Sequence, residues 1–236
     1  VELIEYSKWF VTRLNTNGVL LSKELCNKLY DASLDSVQIT FYSANREEHN
    51  KLVGANNFDK TVDGIKNAIE AGLPISINTP LCSLNKNYKE TLKFLNGLGI
   101  KYVSCSGLII TGNATKDESR ETQLSQDELY NILKEATEYT KKNLMEISFT
   151  SPGWIKEEKL KELGLDIPSC GACLSNMAIA PDGEVVPCQS WLGKDAGLGN
   201  LLEVEWKKIW NNPKCINQRI YSAKTLGTCP LKESGC

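Results

Sequence analysis

Short apolar runs and longer amphipathic stretches alternate along the first 150 residues. Residues 2–10 read as helical and pass into a short strand at 10–15. Thr16-Asn17-Gly18 ends that strand, because Asn-Gly is a strong turn signal. Ser22 is placed to cap a helix running to about Ala32. Residues 37–42 have the β-branched and aromatic content of a strand. A helix opens at Asn57-Phe58, passes Ile65, Ala68 and Ile69, and closes at Gly72, which suits the left-handed position after a helix. Residues 74–79 form the next strand, and 87–98 the next helix, closed by Gly99. A strand at 101–106 runs toward 108–112, and a polar loop covers 112–124. Ser125-Gln126-Asp127-Glu128 is a capping-box pattern that opens a helix to about Lys142, with Leu129, Ile132, Leu133 and Ala136 on one face. Residues 146–150 make a final strand.

Five strand–helix alternations, spaced about 30 residues apart, predict a parallel α/β sheet or barrel. In such sheets ligands sit at the carboxyl ends of the strands. Those ends carry Asn15-Thr16-Asn17-Gly18, Thr40-Phe41-Tyr42-Ser43, Asn78-Thr79, Ser104-Cys105-Ser106 and Thr150-Ser151, which fits a solvated cleft. After Pro152 the elements shorten, Gly and Pro become commoner and most of the clustered cysteines appear. A boundary is expected between about 150 and 168, with domains at 1–150 and 151–236.

Composition narrows the function classes. A net charge of -2 and no basic stripe with interleaved aromatics argue against a nucleic-acid partner. No apolar run approaches the roughly 20 residues that span a bilayer, so no membrane association is expected. The first residues show no secretory signal, which points to the cytoplasm. They also begin mid-pattern without Met, so the chain is expected to be a piece of a longer one. Nine cysteines cannot all pair internally, and clustered cysteines in a reducing compartment more often bind metal than form disulfides.

Five cysteines are candidate metal ligands: Cys170, Cys173, Cys188, Cys229 and Cys236. Cys170 and Cys173 are two residues apart, so one tight turn can aim both sulfurs at one ion or cluster. Pro181-Asp182-Gly183 reads as a hairpin turn between antiparallel strands at 177–180 and 184–187, bringing Cys188 back beside Cys173. Thiolates at these spacings suit zinc and an iron–sulfur cluster equally. Cys26, Cys82 and Cys105 read as core residues, and Cys215 is unassigned.

The chain resembles the later part of a radical SAM enzyme with a C-terminal SPASM or twitch auxiliary iron–sulfur domain, similar to the sulfatase-maturating group. Cys173, nine residues, Gly183, four residues and Cys188 match that domain's opening pattern. Gly199-Asn200-Leu201-Leu202 and residues 206–211 resemble its next elements. Residues 16–21, 37–42, 48–54 and 75–79 with Asn85 resemble the third to fifth barrel strands and their loops. The resemblance implies a fold of α/β class: a partial (β/α) TIM-type barrel followed by a small cysteine-rich α+β SPASM/twitch domain. It implies an oxidoreductase or a peptide- or protein-modifying maturase. An auxiliary 4Fe-4S cluster would serve electron transfer or substrate engagement, and S-adenosylmethionine would be the cofactor of the complete enzyme. Thr40, Ser43 and Asn78 match positions that contact S-adenosylmethionine in the family. Trp191, Trp206 and Trp210 are expected to shield the cluster and pack the small domain, Asp182 to serve the turn, and His49 to be a solvated surface residue.

The departures matter as much. The C-x3-C-x2-C motif that binds the S-adenosylmethionine-cleaving cluster occurs nowhere in these 236 residues. The chain is therefore expected to lack the family's first two strands, and by itself to cleave no S-adenosylmethionine. That would leave an open sheet edge, suited to dimerisation or local disorder. In the final motif, Leu226 stands where a Cys is usual, and Cys236 comes one residue late. One auxiliary cluster is expected, with five cysteines for about four ligand places. The alternative is a zinc- or cluster-stabilised peptide-binding module without catalysis.

Overall fold

The computed structural model describes residues 1–108, 122–193 and 195–224. They divide into two compact units, the first built from residues 1–108, 122–149 and 159–166, the second from most of the remainder.

The first unit holds a five-stranded parallel sheet in sequential order: β1 (Arg13–Thr16), β2 (Ser36–Thr40), β3 (Ile75–Leu81), β4 (Tyr102–Gly107) and β5 (Glu146–Phe149). An all-parallel sheet in chain order, with helical crossovers, is the arrangement of a partial (β/α) barrel. The helices are α1 (Glu2–Tyr6), α2 (Lys23–Asp31), α3 (Arg46–Val53), α4 (Phe58–Glu70), α5 (Tyr88–Gly97) and α6 (Gln126–Lys142), with the short α7 (Glu157–Leu163) following β5. Most of these elements follow the periodicity of the sequence. The Ser22 hydroxyl accepts from the Leu25 amide at 3.1 Å, and Ser125 and Glu128 form the expected capping box. Gly64 of α4 lies so close to the Gly18 carbonyl that a Cβ there would overlap it.

Period-two alternation gives the sheet two different faces. On one face Val37, Ile39, Ile77, Thr79, Leu81, Val103, Cys105 and Phe149 are buried, as are the helical residues Ile65, Ala68, Leu92, Leu95, Leu129 and Leu133. The other face carries a transverse row, Thr40–Asn78–Ser104–Ser148, set by strand register. The Ser104 hydroxyl donates to Asn78 Oδ1 at 3.0 Å, and Gln38 Nε2 donates to Ser104 Oγ at 3.4 Å.

Three expectations are corrected. α1 ends at Tyr6 rather than residue 10, and β1 starts only at Arg13. Residues 48–54, expected as the loop after the fourth strand, fall in and just after α3, because the Asn45 side chain caps the amides of Glu47 and Glu48 and Gly54 closes the end at φ +69°. His49 is on that helix and is fully buried, not solvated. Its ring sits 4.8 Å from Phe41 and 5.6 Å from Phe58, where apolar burial outweighs solvation of one neutral imidazole. The residues 109–112 and nearly all of the polar loop at 112–124 lie outside the described residues. Before β1 the described residues hold α1 and no strand. Cys26, Cys82 and Cys105 are buried, as expected of core thiols.

The second unit has a three-stranded antiparallel sheet of very short strands, β6 (Ala178–Ile179), β7 (Glu184–Val186) and β8 (Gly199–Asn200). Two helices follow, α8 (Trp206–Trp210) and α9 (Pro213–Lys224). Cys173, Val185, Leu198, Ile209 and Cys215 form its buried cluster, with Met177, Leu201, Val204 and Trp210 packed against it.

Candidate metal centre

The expected antiparallel hairpin forms, over shorter strands, with Ala178 opposite Val186 and Ile179 opposite Val185. Gly183 makes its turn at φ +89°, and a Cβ there would stand 2.6 Å from Asn200 Oδ1 and 2.9 Å from Leu202 Cγ. Only glycine therefore satisfies both the conformation and the space. The Asp182 carboxylate accepts from the Glu184 amide at 3.1 Å, and the Asn200 side chain donates to the Asp182 carbonyl at 2.9 Å. Asp182 thus serves the turn, and the Gly-Asn pair at 199–200 is the third strand that clamps it.

The Cys170–Cys173 turn is wound round the Gly171 carbonyl, which accepts from the amides of Leu174, Ser175 and Asn176 at 2.9–3.0 Å. Cys173 adopts φ +56°, a left-handed conformation rare for a residue with a Cβ. Its amide donates to the Asn176 and Pro187 carbonyls at 3.0 and 3.2 Å. The second of these ties the turn to the residue before Cys188. Cys170 and Cys173 are buried, and Cys188 is half-buried. Burial, followed by the neighbouring Cys215 thiol and the Cys188 charge, pushes the Cys173 thiol up to about 12.

Cys215, unassigned in the sequence, is the residue that sequence reasoning missed. It is fully buried in the same cluster as Cys173, and its sulfur lies 3.4 Å from Arg219 Nη2. Its one legible signal was a Cys at the third position of a helix opened by Asn212-Pro213, which says nothing of what that helix faces. Cys229 and Cys236 lie outside the described residues. Among the described residues no three His, Cys, Asp or Glu side chains converge as a single metal ion requires. The described donors of the Cys170–Cys173 turn and of Cys188 beyond it are thiols, a set whose chemistry fits an iron–sulfur cluster, whose irons spread the ligands further apart than one ion does. Cys170, Cys173 and Cys188, with a further thiol, are the residues that would hold it. Of the tryptophans, Trp210 packs on the buried cluster, Trp191 is half-buried, and Trp206 is 45% exposed while touching Trp210 at 5.7 Å between rings.

The three strand-end candidates separate. Thr40 and Asn78 are register partners on the polar face of the sheet. Ser43 is buried, donating to Glu48 Oε2 at 2.6 Å and accepting from the Asn45 amide at 3.0 Å, so its hydroxyl is committed to the start of α3.

Residues 1–96 match the radical SAM superfamily, and residues 170–233 match the SPASM iron–sulfur cluster-binding domain. Over 83 residues the chain is 37% identical to a protein of Saccharolobus solfataricus named probable GTP 3',8-cyclase, a match covering 35% of this chain and 26% of that one. It is 27% identical to the AdoMet-dependent heme synthase of Methanosarcina barkeri, over 93% of this chain and 66% of the relative. Among solved structures, native anSMEcpe with bound AdoMet superposes with a TM-score of 0.67 at 16% identity, covering 89% of this chain and 59% of that one. Streptococcus suis SuiB superposes with a TM-score of 0.71 at 19% identity, covering 98% and 57%. The matches thus span about a quarter to two-thirds of each relative's length. Within one chain, then, a partial-barrel segment that matches the radical SAM superfamily is followed by a segment that matches the SPASM iron–sulfur cluster-binding domain.

Proposed function

We propose that this chain is the later part of a radical SAM oxidoreductase that modifies a peptide or protein. Its second unit would bind an auxiliary 4Fe-4S cluster through Cys170, Cys173, Cys188 and one more cysteine, with Cys229 and Cys236 as candidates. The observation that carries the reading is the wound Cys170–Cys173 turn, tied by the Cys173 amide to the strand that delivers Cys188, inside the segment that matches the SPASM domain. When bound, the cluster supplies single-electron chemistry, its potential set by burial and by hydrogen bonds to its sulfurs.

This chain's own residues would prepare the site. The left-handed Cys173 and the hydrogen bond from its amide to Pro187 tie the Cys170–Cys173 turn to the residue before Cys188. On the sheet, Thr40 and Asn78 would offer hydrogen bonds to S-adenosylmethionine, with Ser104 and Gln38 orienting Asn78. Ser43 enters that reading through the turn it holds. The cluster that cleaves S-adenosylmethionine would be bound outside these 236 residues, which carry no C-x3-C-x2-C motif. A peptide substrate is supported by two of the similar folds, SuiB bound to precursor peptide SuiA and anSMEcpe with bound AdoMet and a peptide. A second reading is favoured by the match to an AdoMet-dependent heme synthase along nearly the whole chain: action on a heme precursor.

Anaerobic reconstitution with iron and sulfide tests the first claim. About four irons and four sulfides per chain, with a broad visible absorption bleached by dithionite, are expected. A colourless protein that instead holds one zinc ion would sink it. Binding titrations of the loaded protein with peptides and with heme precursors separate the two substrate classes.

A further inference from the structure

We propose that one face of α9 is the tuning surface of the cluster, with Arg219 as its principal positioning residue. This rests on the reading that the second unit holds a cluster. Cys215, Arg219 and Ser222 stand at i, i+4 and i+7 of a 12-residue helix, so they share one side. Each of them meets the Cys170–Cys173 turn. Cys215 lies with Cys173 in one buried cluster, and both are fully buried. Arg219 Nε donates to the Cys173 carbonyl at 2.9 Å, and its Nη2 donates to the Trp210 carbonyl at 3.0 Å and reaches Cys215 Sγ at 3.4 Å. Its guanidinium is stacked over the Trp210 ring at 3.6 Å, which fixes the plane of the fork. The fully buried Ser222 hydroxyl donates to the Ala172 carbonyl at 2.8 Å and stands 3.7 Å from Cys170 Sγ.

Arg219 is a half-buried cation held beside the Cys215 sulfur by two backbone carbonyls and a tryptophan. It has no carboxylate partner among the described residues. A thiolate-ligated cluster supplies a counter-charge. The reduced cluster carries one more negative charge than the oxidised cluster, so a fixed positive charge and hydrogen bonds to the ligand sulfurs stabilise the reduced form more. Arg219 acts through charge. Ser222 acts more weakly, because its single proton is shared between the Ala172 carbonyl and the Cys170 sulfur. Cys215 packs in the buried cluster with Cys173, takes a hydrogen bond from Arg219, and is not itself a ligand.

The test is a redox titration of the anaerobically reconstituted full chain, followed by electron paramagnetic resonance. Arg219→Gln is expected to shift the reduction equilibrium about tenfold toward the oxidised form, about 59 mV more negative for a one-electron couple, at unchanged iron content. Arg219→Lys keeps the charge and falls between, and Ser222→Ala shifts the potential in the same direction by less. Wild-type potentials in Arg219→Gln and Ser222→Ala, at full iron content, would overturn the proposal. Should Arg219→Gln fail to fold, as judged by melting of the apo chain, Arg219→Lys and Ser222→Ala carry the same criterion. Cys215→Ala is expected to keep its iron. Loss of iron in a Cys215→Ala chain that melts like wild type would make Cys215 a ligand and overturn its assignment here. A wild-type chain that takes up no iron or sulfide overturns the cluster reading itself, a failure that needs no variant to detect.

Discussion

The two units are stabilised in different ways. The first has strands of four to seven residues and a continuous buried layer in which Ile39, Ile65, Ile77, Leu81, Leu92, Leu95, Leu129 and Leu133 are all sealed from water. The second has strands of two or three residues, and two of the five residues in its buried cluster are cysteines. Burial of apolar surface suffices to hold the first. The second is small, and small units commonly rely on a metal or cross-link to stay folded. The polar groups follow the same division. In the first unit they line one side of the sheet, and in the second they join a turn to a helix face beside cysteine sulfurs.

The largest effect tests the first unit. Leu92→Ala removes a fully buried side chain from α5 and is expected to cost about 2–5 kcal/mol. Hydrogen exchange should report that loss in peptides of 75–107, with those of 170–193 unchanged. Gly183→Val does the reverse. It forces a branched side chain into φ +89° against Asn200 and Leu202, a penalty of about 3 kcal/mol that exchange should confine to 170–193. If either change spreads its effect equally over both units, the contrast between them is broken.

A pH series sharpens it further. The buried His49 imidazole is held down to about 4 by desolvation, and its Nε2 has no hydrogen-bond partner among the described residues. With the folded value below the unfolded one, the unfolded chain binds the proton first. Stability is therefore full above about pH 6.5 and falls as pH drops from there toward 4, by up to about 3 kcal/mol. Urea melts of the first unit at pH 7 and pH 5 should show the slope, and His49→Phe should remove that share of it. A slope identical in the variant would mean that His49 is charged or exposed in solution. The smallest expected effect is at the start of α6, where Ser125→Ala breaks the capping box and costs about 1 kcal/mol, read as faster exchange of the amides of residues 126–129.

Much of the first unit was legible because its signals are local. Ser22, Ser125 and Glu128 carry their caps within four residues, and the alternation in 75–81 is visible without knowing any neighbour. α3 was not legible, since Arg-Glu-Glu-His-Asn-Lys has almost no apolar face and its stability comes from Asn45, from Gly54 and from the pocket around His49. Ser43 read as a strand-end polar residue because sequence cannot show that Glu48, one helical turn on, takes its hydroxyl. In the second unit the turn chemistry of Pro181-Asp182-Gly183 was readable, but the pairing of Asn200 with Asp182, 18 residues away, was not.

By itself the sequence determined the strand–helix rhythm, the caps, the hairpin turn and the CxxC spacing, all of which depend on residues within a turn or two of one another. Tertiary structure alone decided which thiol meets Cys173, what surrounds His49 and which polar side chains line up as Thr40, Asn78, Ser104 and Ser148. Cys215, Arg219 and Ser222 come from 42 to 52 residues beyond the Cys170–Cys173 turn that they touch. A helix records which of its residues share a side, but not what that side faces, because that partner is chosen by packing between distant segments.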